Sequence, residues 1–209
     1  MKSVAIVGAT GYTGQELQKL LARHPHLEAK LLMSSRDGSS ANGHPVQDNI
    51  QPLKPARFDE VDGVFLCTPH GKASALAAAA LAAGKVVVDL SADFRLRDPQ
   101  LFQDTYGDVH AAPELLNCAV YGLTEHHRTE IQNATLIANP GCYPTSILMP
   151  LQPLLNHELL NLTAPLIADS KSGVSGAGKQ PNERTHYANV HENFLAYGIG
   201  THRHAPEIT

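Results

Sequence analysis

The chain has 209 residues, of which 43% are hydrophobic and 17% are charged, and its 16 Lys and Arg against 20 Asp and Glu give a formal net charge of −4. At about 150 residues per domain, this length corresponds to roughly 1.4 domains with a buried core, which excludes intrinsic disorder, collagen and coiled coil. Because no basic run is present, nucleic acid is not an expected partner.

Three widely spaced cysteines without a C-x-x-C pair argue against a disulfide framework and against a zinc knuckle. The first residues contain too few apolar side chains for a signal peptide, and no window is long and apolar enough for a membrane span. We therefore expect a cytoplasmic protein with no membrane partner.

A strand, a helix and a second strand are predicted in the first forty residues. An apolar run at residues 4–7 is followed by a glycine-rich turn, and apolar residues at positions i, i+3 and i+4 from Leu17 indicate a helix that ends before Pro25. A second apolar run covers residues 29–33. The polar residues 34–60 predict a loop with little regular structure.

Strands and helices continue to alternate beyond this unit. We predict strands at 64–67, 86–90 and 135–138 and an alanine-rich helix at 72–83. The continuous apolar strands are typical of a buried parallel sheet, so residues 1–141 are predicted to form an α/β domain of the Rossmann type. An apolar segment then runs to Leu155, but Pro150 and Pro153 within it predict a short or kinked helix.

A glycine-rich loop joins the first predicted strand to the first predicted helix. Residues 8–14 read G-A-T-G-Y-T-G, a spacing variant of the dinucleotide fingerprint in the strand-to-helix context that the fingerprint requires. Backbone N–H groups at the start of the helix would hold a pyrophosphate, although a glycine turn that serves packing alone is the alternative. The cofactor-binding residues predicted here are Gly8, Thr10, Gly11, Tyr12, Thr13 and Gly14.

The residues after the second strand favour NADP over NAD. Ser34, Ser35 and Arg36 offer two hydroxyls and a guanidinium for a 2′-phosphate, whereas an NAD-selective domain usually has a carboxylate at this position. Asp37 comes three residues after the strand and beside that arginine. The alternative is a polar loop with an incidental arginine.

Cys142 is the cysteine most strongly indicated as reactive. It follows a short strand and the sequence Asn-Pro-Gly and precedes an expected helix, so its sulfur would lie near helix N–H groups that favour the thiolate. Cys67 closes an apolar strand and fits a core position, and Cys118 lies in a polar loop with no base nearby in sequence. A buried, inert thiol is the alternative for Cys142.

Five sequence blocks together resemble one protein family. They are the glycine loop at 8–14, D-L-S-A-D-F-R at 89–95, P-G-C-Y-P-T at 140–145, S-G-V-S-G-A-G at 172–178 and T-H-R-H-A-P-E-I at 201–208. In this order they resemble the N-acetyl-γ-glutamyl-phosphate reductases of arginine biosynthesis. Aspartate-semialdehyde dehydrogenases share the glycine loop and a cysteine nucleophile, but not the last two blocks.

The resemblance implies an enzyme that reduces an acyl phosphate to an aldehyde with NADPH. A Cys142 thiolate would attack the γ-acyl carbon, phosphate would leave, and the resulting thioester would be reduced to N-acetylglutamate 5-semialdehyde. The resemblance also implies that residues 142–209 begin an α+β catalytic and dimerisation domain of the semialdehyde and glyceraldehyde-phosphate dehydrogenase type. A homo-oligomer is expected for the full-length protein.

His202 and His204 are the candidates for proton transfer, because an unperturbed histidine has a pKa of ~6.5. The sequence does not choose between them, and we expect them to face opposite sides of an extended segment, with one toward the cysteine. Zinc binding is the alternative for a His-x-His pair, but Arg203 between them and the lack of a third ligand cluster argue against a metal.

Further residues are assigned to substrate and cofactor. Arg95 with Ser91 would hold the phosphate or the α-carboxylate at the carboxyl edge of the sheet, unless Arg95 pairs at the surface with Asp93 or Asp98. The remaining substrate-binding candidates are Ser172, Arg203 and Glu207, of which Glu207 could instead orient a catalytic histidine. The remaining cofactor-binding candidates are Thr68, Pro69, Ser175 and Gly176.

Two other functions fit parts of the sequence. An aspartate-semialdehyde-type dehydrogenase would share the mechanism with another substrate, and a non-catalytic NADP-binding regulatory protein would share the fold without the reaction. We also expect the chain to be a fragment with exposed apolar surface and little activity, because members of this family have roughly twice the ~150 residues of a single domain. Residues 206–209 resemble a helix cut in its first turn.

Overall fold

A computed structural model describes residues 1–35 and 49–209 of the chain. The described chain divides into two compact units, Met1–Asn139 and Pro140–Thr209, which are called here the first and the second unit. Within the two described ranges, no helix is long and apolar enough to cross a membrane.

The first unit is built on a sheet that has seven strands among the described residues. The strands are β1 (Lys2–Val7), β2 (Leu27–Ser34), β3 (Ile50–Pro52), β4 (Gly63–Leu66), β5 (Val86–Asp89), β6 (Val120–Tyr121) and β7 (Leu136–Ala138). Their order across the sheet is β3-β2-β1-β4-β5-β7-β6, and every neighbouring pair is parallel. Because the order reverses at β1, a crevice is expected at the carboxyl ends of β1 and β4, where α/β sheets bind ligands. The predicted Rossmann-type sheet is confirmed.

The helices of each unit follow in chain order. The first unit has α1 (Tyr12–Leu21), α2 (Ala73–Ala82), α3 (Pro99–Tyr106) and α4 (Thr124–Gln132), with 3-10 turns at Pro55–Glu60 and Pro113–Cys118. The second unit has α5 (Cys142–Asn156), α6 (Tyr187–Val190) and α7 (Ala205–Ile208), with 3-10 turns at Val174–Ala177 and Glu183–Thr185.

The core of the first unit lies on both faces of the sheet. Val4 and Ile6 of β1 pack in one cluster with Leu21 of α1, while Ala5 and Val7 pack in the other, which includes the small buried side chains of α2. Successive strand residues point to opposite faces, so helices that cover both faces require four consecutive apolar residues. This packing explains why the continuous apolar runs predicted the strands.

The prediction of little regular structure at residues 34–60 is wrong for its second half. Ile50–Pro52 forms β3 beside β2, with Ile50 opposite Leu32, and Pro55–Glu60 forms a 3-10 turn. An edge strand of three residues is too short to produce an alternating pattern, so its pairing is a tertiary effect. The strand at 86–90 is also less buried at its start than predicted, because Val86 is exposed.

A short or kinked helix was predicted after Cys142, and the first alternative is wrong, because α5 runs for 15 residues. Pro150 and Pro153 lie inside it, three residues apart, and both are exposed. Each proline removes one backbone N–H donor and leaves one carbonyl without its helical partner. Residues three apart share a helix face, so both carbonyls lie toward the same solvent-facing side and can bind water.

Candidate active site

The glycine loop turns directly from β1 into α1. Gly8 has φ +86°, its N–H donates to the Met33 carbonyl at 2.8 Å, and a Cβ there would overlap the Cys67 carbonyl oxygen. A Cβ on Gly14, in the first turn of α1, would overlap the Gly8 carbonyl oxygen. Gly8 and Gly14 must be glycine because backbone atoms of other residues occupy the place of their Cβ atoms. The close approach of Gly14 to Gly8 packs the start of α1 against the end of β1. No side chain caps α1 at Gly11, so its positive end is available to an anion.

The predicted 2′-phosphate residues differ in exposure. Ser34 is buried, and its hydroxyl lies 3.1 Å from the hydroxyl of Thr10. Ser34 therefore hydrogen-bonds to the glycine loop from the end of β2. Ser35 is exposed at the end of β2. Arg36 lies outside the described residues. Ser35 is therefore the described residue of this set that can reach a bound phosphate.

The buried carboxylate of Asp93 fixes the segment after β4. The sequence indicated Asp93 only as a surface ion-pair partner of Arg95. Asp93 accepts hydrogen bonds from the backbone N–H groups of Gly71, Ala73 and Ser74 at 2.6 to 3.0 Å, and from the Ser74 hydroxyl at 2.7 Å. Asp93 is fully buried. It thus caps α2 from a distant part of the chain and orders the segment that contains Thr68 and Pro69.

Thr68 itself has an orphaned polar atom. Its Oγ1 is buried and has no hydrogen-bond partner among the described residues. Pro69, next to it, is exposed. This buried hydroxyl without a partner lies two residues after β4 and next to Cys67, whose carbonyl oxygen faces Gly8, and it fits a site that a ligand completes.

Ser91 and Arg95 take structural positions in the first unit. The Ser91 hydroxyl donates to Asp89 at 2.7 Å and accepts from the Asp93 N–H at 3.1 Å, and Ser91 is buried. Arg95 donates to the carbonyls of Leu90 at 3.0 Å and Asn139 at 2.9 Å, and so ties together the ends of two strands. The substrate contact predicted for Ser91 conflicts with this arrangement, because its hydroxyl is already engaged inside the fold.

Asp89 and Cys67 are both perturbed by burial. Burial raises the pKa of Asp89 to about 7, with the Asp93 charge adding to the rise and the hydrogen bonds from Ser91 opposing it. Burial, and then the charge of Asp89, raise the pKa of the Cys67 thiol to about 12. Cys67 is therefore a protonated thiol at neutral pH, which suits the core position predicted for it.

Cys142 is the first residue of α5 in the second unit, and it is exposed. Gly141 before it is extended and provides no side-chain cap. The thiol therefore lies at the positive end of a 15-residue helix, where backbone N–H groups stabilise negative charge. Cys118 is also exposed, but it ends a 3-10 turn and has no such helix.

Glu207 and His204 meet the backbone directly before the nucleophile candidate. The Gly141 N–H donates to a Glu207 carboxylate oxygen at 2.7 Å, and a Cβ on Gly141 would lie 2.9 Å from Glu207 Oε2 and from His204 Nε2. Any side chain at position 141 would therefore displace both groups. α7 carries Glu207, and its contact with the start of α5 places His204 beside Gly141, the residue directly before Cys142.

His202 is held by the backbone N–H of His204 and by aromatic rings. The His204 N–H donates to His202 Nδ1 at 3.2 Å, so this nitrogen carries the lone pair and neutral His202 has its proton on Nε2. Burial lowers the pKa of His202, and the Arg203 charge lowers it further. The His202 and His204 rings are 5.0 Å apart, and Arg203 is exposed.

The expectation that the two histidines face opposite sides is therefore wrong. Residues two apart in an extended chain share a side, and here the segment turns into α7, which brings both rings together. No three His, Cys, Asp or Glu side chains come together as a metal site in the part of the chain that the structure describes.

The loop at 170–179 approaches the first turn of α5. The Tyr143 hydroxyl donates to Ser172 at 2.9 Å, and the hydroxyls of Ser146 and Ser170 are 3.0 Å apart. Ser175 and Gly176 lie on the exposed 3-10 turn Val174–Ala177. Tyr143 and Ser146 are three residues apart and lie on the same side of α5. Ser170 and Ser172 are two residues apart and lie on the same side of an extended segment, so the two pairs can meet.

Comparison with known proteins places these features in a family. The model described as semialdehyde dehydrogenase, NAD binding domain, matches residues 3–134, and the one described as semialdehyde dehydrogenase, dimerisation domain, matches residues 142–209. The chain belongs to the semialdehyde dehydrogenase family. The predicted dinucleotide-binding domain is confirmed by the first match.

Curated relatives confirm the resemblance that the five sequence blocks indicated. The chain is 48% identical to a protein named probable N-acetyl-gamma-glutamyl-phosphate reductase, chloroplastic, of rice, over 98% of this chain and 51% of the relative. It is 48% identical to the N-acetyl-gamma-glutamyl-phosphate reductase of Pseudomonas syringae, over 100% of this chain and 63% of the relative. The chain thus spans between about half and five-eighths of the length of these relatives.

Solved structures of the same family share the fold. The chain matches aspartate semialdehyde dehydrogenase II of Vibrio cholerae with a TM-score of 0.54 and 24% identity, over 75% of this chain and 47% of that one. It matches a probable aspartate-semialdehyde dehydrogenase of Pseudomonas aeruginosa with a TM-score of 0.50 and 26% identity, over 74% of this chain and 42% of that one.

Proposed function

We propose that the protein acts in the NADPH-dependent reductive dephosphorylation of N-acetyl-γ-glutamyl phosphate to N-acetylglutamate 5-semialdehyde. The observation that carries the proposal is the placement of Cys142 at the start of α5, with His204 and Glu207 held against Gly141. The names of the curated relatives support the substrate. In this proposal, residues 1–141 bind the cofactor and residues 142–209 supply the nucleophile.

The reaction begins at Cys142. Its thiolate attacks the γ-acyl carbon, the bond to the phosphate oxygen breaks, and phosphate leaves with the electron pair, so that a thioester remains on sulfur. The positive end of α5 stabilises the thiolate before attack and again when it leaves. Glu207 fixes the Gly141 backbone, so the sulfur keeps one position through both steps.

We assign the two histidines to different roles. Neutral His202 presents Nε2–H, because its Nδ1 accepts a backbone N–H, and it therefore acts as a hydrogen-bond donor to a substrate oxygen. His204, whose Nε2 lies near the start of α5, takes the thiol proton and gives it to the departing phosphate, and the oxyanion formed on reduction of the thioester then collapses to the aldehyde and releases the Cys142 thiolate. The lowered pKa of His202 supports this division, since a neutral donor is required at neutral pH.

The residues of the first unit fit a dinucleotide. The glycine loop would hold the pyrophosphate, the Thr68 hydroxyl would find a partner in the ligand, and Ser35 with Arg36 would hold a 2′-phosphate, which favours NADP. The chemistry that the bound cofactor supplies is hydride transfer to the thioester carbon. A homo-oligomer is proposed from the dimerisation domain named in the family match, and a cytoplasmic location stays a prediction.

Phosphate-dependent reduction of NADP tests the proposal in the reverse direction. N-acetylglutamate semialdehyde and aspartate semialdehyde are compared at equal concentration, with arsenate in place of phosphate as a second acceptor. We expect NADPH formation with N-acetylglutamate semialdehyde and a much lower rate with aspartate semialdehyde. Formation of NADPH with aspartate semialdehyde alone would establish the aspartate-semialdehyde alternative instead.

A further inference from the structure

Two tyrosines of the second unit enclose His202, and the mechanism above uses neither of them. Tyr143 directly follows Cys142 in the first turn of α5, and Tyr197 lies in the loop before His202. Their ring centroids are 5.2 and 5.3 Å from that of His202, and the Tyr143 ring stands nearly perpendicular to it, at 82°. The imidazole therefore lies between two aromatic walls.

A glycine completes the enclosure. Gly198 has φ +62°, and a Cβ there would lie 3.1 Å from His202 Cδ2, closer than nearly all real Cβ contacts. The Thr201 N–H donates to the Gly198 carbonyl at 3.0 Å, which closes the turn between Tyr197 and His202. The chain thus folds back on His202, and a larger residue at position 198 would push the ring away.

Hydroxyl groups join the two aromatic walls to each other. The Tyr197 hydroxyl donates to the Tyr143 hydroxyl at 3.1 Å, which in turn donates to Ser172 at 2.9 Å. Burial, and then the bond to Tyr143, raise the pKa of Tyr197 to about 12, so it stays a donor at neutral pH. Tyr143 is linked through this chain both to the loop at 170–179 and to Tyr197.

Ordinary core packing does not account for the arrangement. In the second unit, all of which the structure describes, only Pro140, Gly141 and Pro144 are buried. Tyr197 is itself 48% exposed, so its ring contributes little to a core. Another tyrosine of the unit, Tyr187, is 73% exposed and contacts His191 at 5.3 Å without a hydroxyl chain or a second aromatic wall among the described ring contacts.

We propose that Tyr143 and Tyr197 are positioning residues that clamp the His202 ring and hold it as the Nε2–H donor, with the hydroxyl chain to Ser172 locking the clamp. The proposal rests on the proposed function only for the acceptor of the His202 hydrogen bond, which is a substrate oxygen. The groups that face His202 are the rings of Tyr143 and Tyr197, the His204 imidazole and the positive charge of Arg203. Removing one wall admits water, which stabilises the charged imidazolium.

The test is a histidine NMR titration of the full 209-residue chain, with the His202 signal assigned by its loss in His202→Gln. Tyr197→Ala removes one wall and should raise the pKa of His202 toward its ordinary value. Tyr143→Phe keeps the ring but breaks both hydroxyl bonds, and should give a smaller rise. Tyr197→Phe also keeps the ring, removes the hydroxyl that donates to Tyr143, and should likewise give a smaller rise than Tyr197→Ala. Tyr187→Ala is the matched control and should leave His202 unchanged.

The outcomes separate the clamp from a general loss of structure. If Tyr197→Ala unfolds the unit, the two phenylalanine variants still report what the hydroxyl bonds do to His202. An unchanged His202 pKa in a folded Tyr197→Ala, an unchanged His202 pKa in both phenylalanine variants, or an equal response to Tyr187→Ala would overturn the proposal. The titration needs no substrate, so the clamp can be established even if the chain forms no acyl-enzyme.

Discussion

The two units of this chain differ most in what holds their functional groups in place. In the first unit, side chains such as Ile6 and Val87 are fully buried on a parallel sheet, and even the polar Asp89 and Asp93 are enclosed. In the second unit, Ile167, Phe194 and Ile199 are 91%, 69% and 84% exposed. The first unit is a packed scaffold, and the second holds its candidate catalytic side chains on segments with almost no core of their own.

The difference teaches how each kind of site is specified. The glycine loop is shaped by backbone packed against backbone, so its geometry follows from the core of the first unit. The site around Cys142 depends instead on individual bonds, such as the one from Gly141 to Glu207, and on ring contacts around His202. Substitutions should therefore damage stability in the first unit and chemistry in the second.

The largest effect is expected from Cys142→Ser. Loss of the thiolate should abolish the turnover that the unsubstituted chain shows, because a serine hydroxyl is not ionised near neutral pH. NADPH binding to the first unit, measured by the quenching or enhancement of nicotinamide fluorescence, should not change. Cys118→Ser is the control and should keep full turnover. Loss of cofactor binding in Cys142→Ser would show that the two sites are not separable in this way.

A pH dependence of stability is expected from Asp89. Its raised pKa, about 7 against an ordinary 3.8, means that the folded chain holds this proton more tightly than the unfolded chain does. The contribution is fully present below about pH 4 and is lost as the pH rises toward 7, by at most about 4 kcal/mol. Urea unfolding across this range should show a decline that Asp89→Asn removes. An equal decline in the variant would exclude Asp89 as its source.

Asp93→Ala should destabilise the first unit by about 3 kcal/mol, since three backbone N–H groups and a hydroxyl lose their acceptor in a buried place. Asp98→Ala is the matched control, because Asp98 caps α3 at an exposed position through one bond to the Gln100 N–H. It should cost about 1 kcal/mol. Equal costs in denaturant unfolding would show that the distant cap on α2 is no stronger than an ordinary one.

The smallest effect is expected at Gly84, after α2. It has φ +71° and no atom within 4 Å of the place where a Cβ would lie, so Gly84→Ala should cost only the left-handed strain of about 1 kcal/mol. Gly8→Ala adds a backbone overlap with the Cys67 carbonyl and should cost more than twice as much. Thermal unfolding of both variants measures this gap. Similar melting temperatures would mean that the backbone at Gly8 is not packed against the Cys67 carbonyl.

The sequence predicted what depends on local pattern and missed what depends on distant pairing. β1, β4 and β7 were predictable because buried parallel strands are apolar without interruption. β3 and the two-residue β6 were not, because short edge strands form only against a neighbour. α3 was missed although Asp98 and Pro99 mark its start, and Gly107, with φ +84°, marks its end.

The same division applies to the site. The helix start at Cys142 was predicted because it is a local feature, and the reactivity of its thiol stays a prediction. The partners of Glu207 and the engagement of Ser91 depend on contacts that no local pattern reveals. The contact between Tyr143 and Tyr197 was not predictable, because the two residues are far apart in the sequence and only the folded loop brings their hydroxyls together. The sequence offers one signal for the capping role of Asp93, which is that it follows Asp89 by four residues in a mostly buried segment.

Trapping of the acyl-enzyme tests the central claim most directly. The 209-residue chain is mixed with N-acetyl-γ-glutamyl phosphate in the absence of NADPH, quenched in acid, and analysed by intact mass and peptide mapping. We predict one N-acetylglutamyl group per chain, attached through a thioester to Cys142 and absent from Cys142→Ser, with release of one equivalent of phosphate. Acylation of another residue, or phosphate release without any group on Cys142, would contradict this prediction.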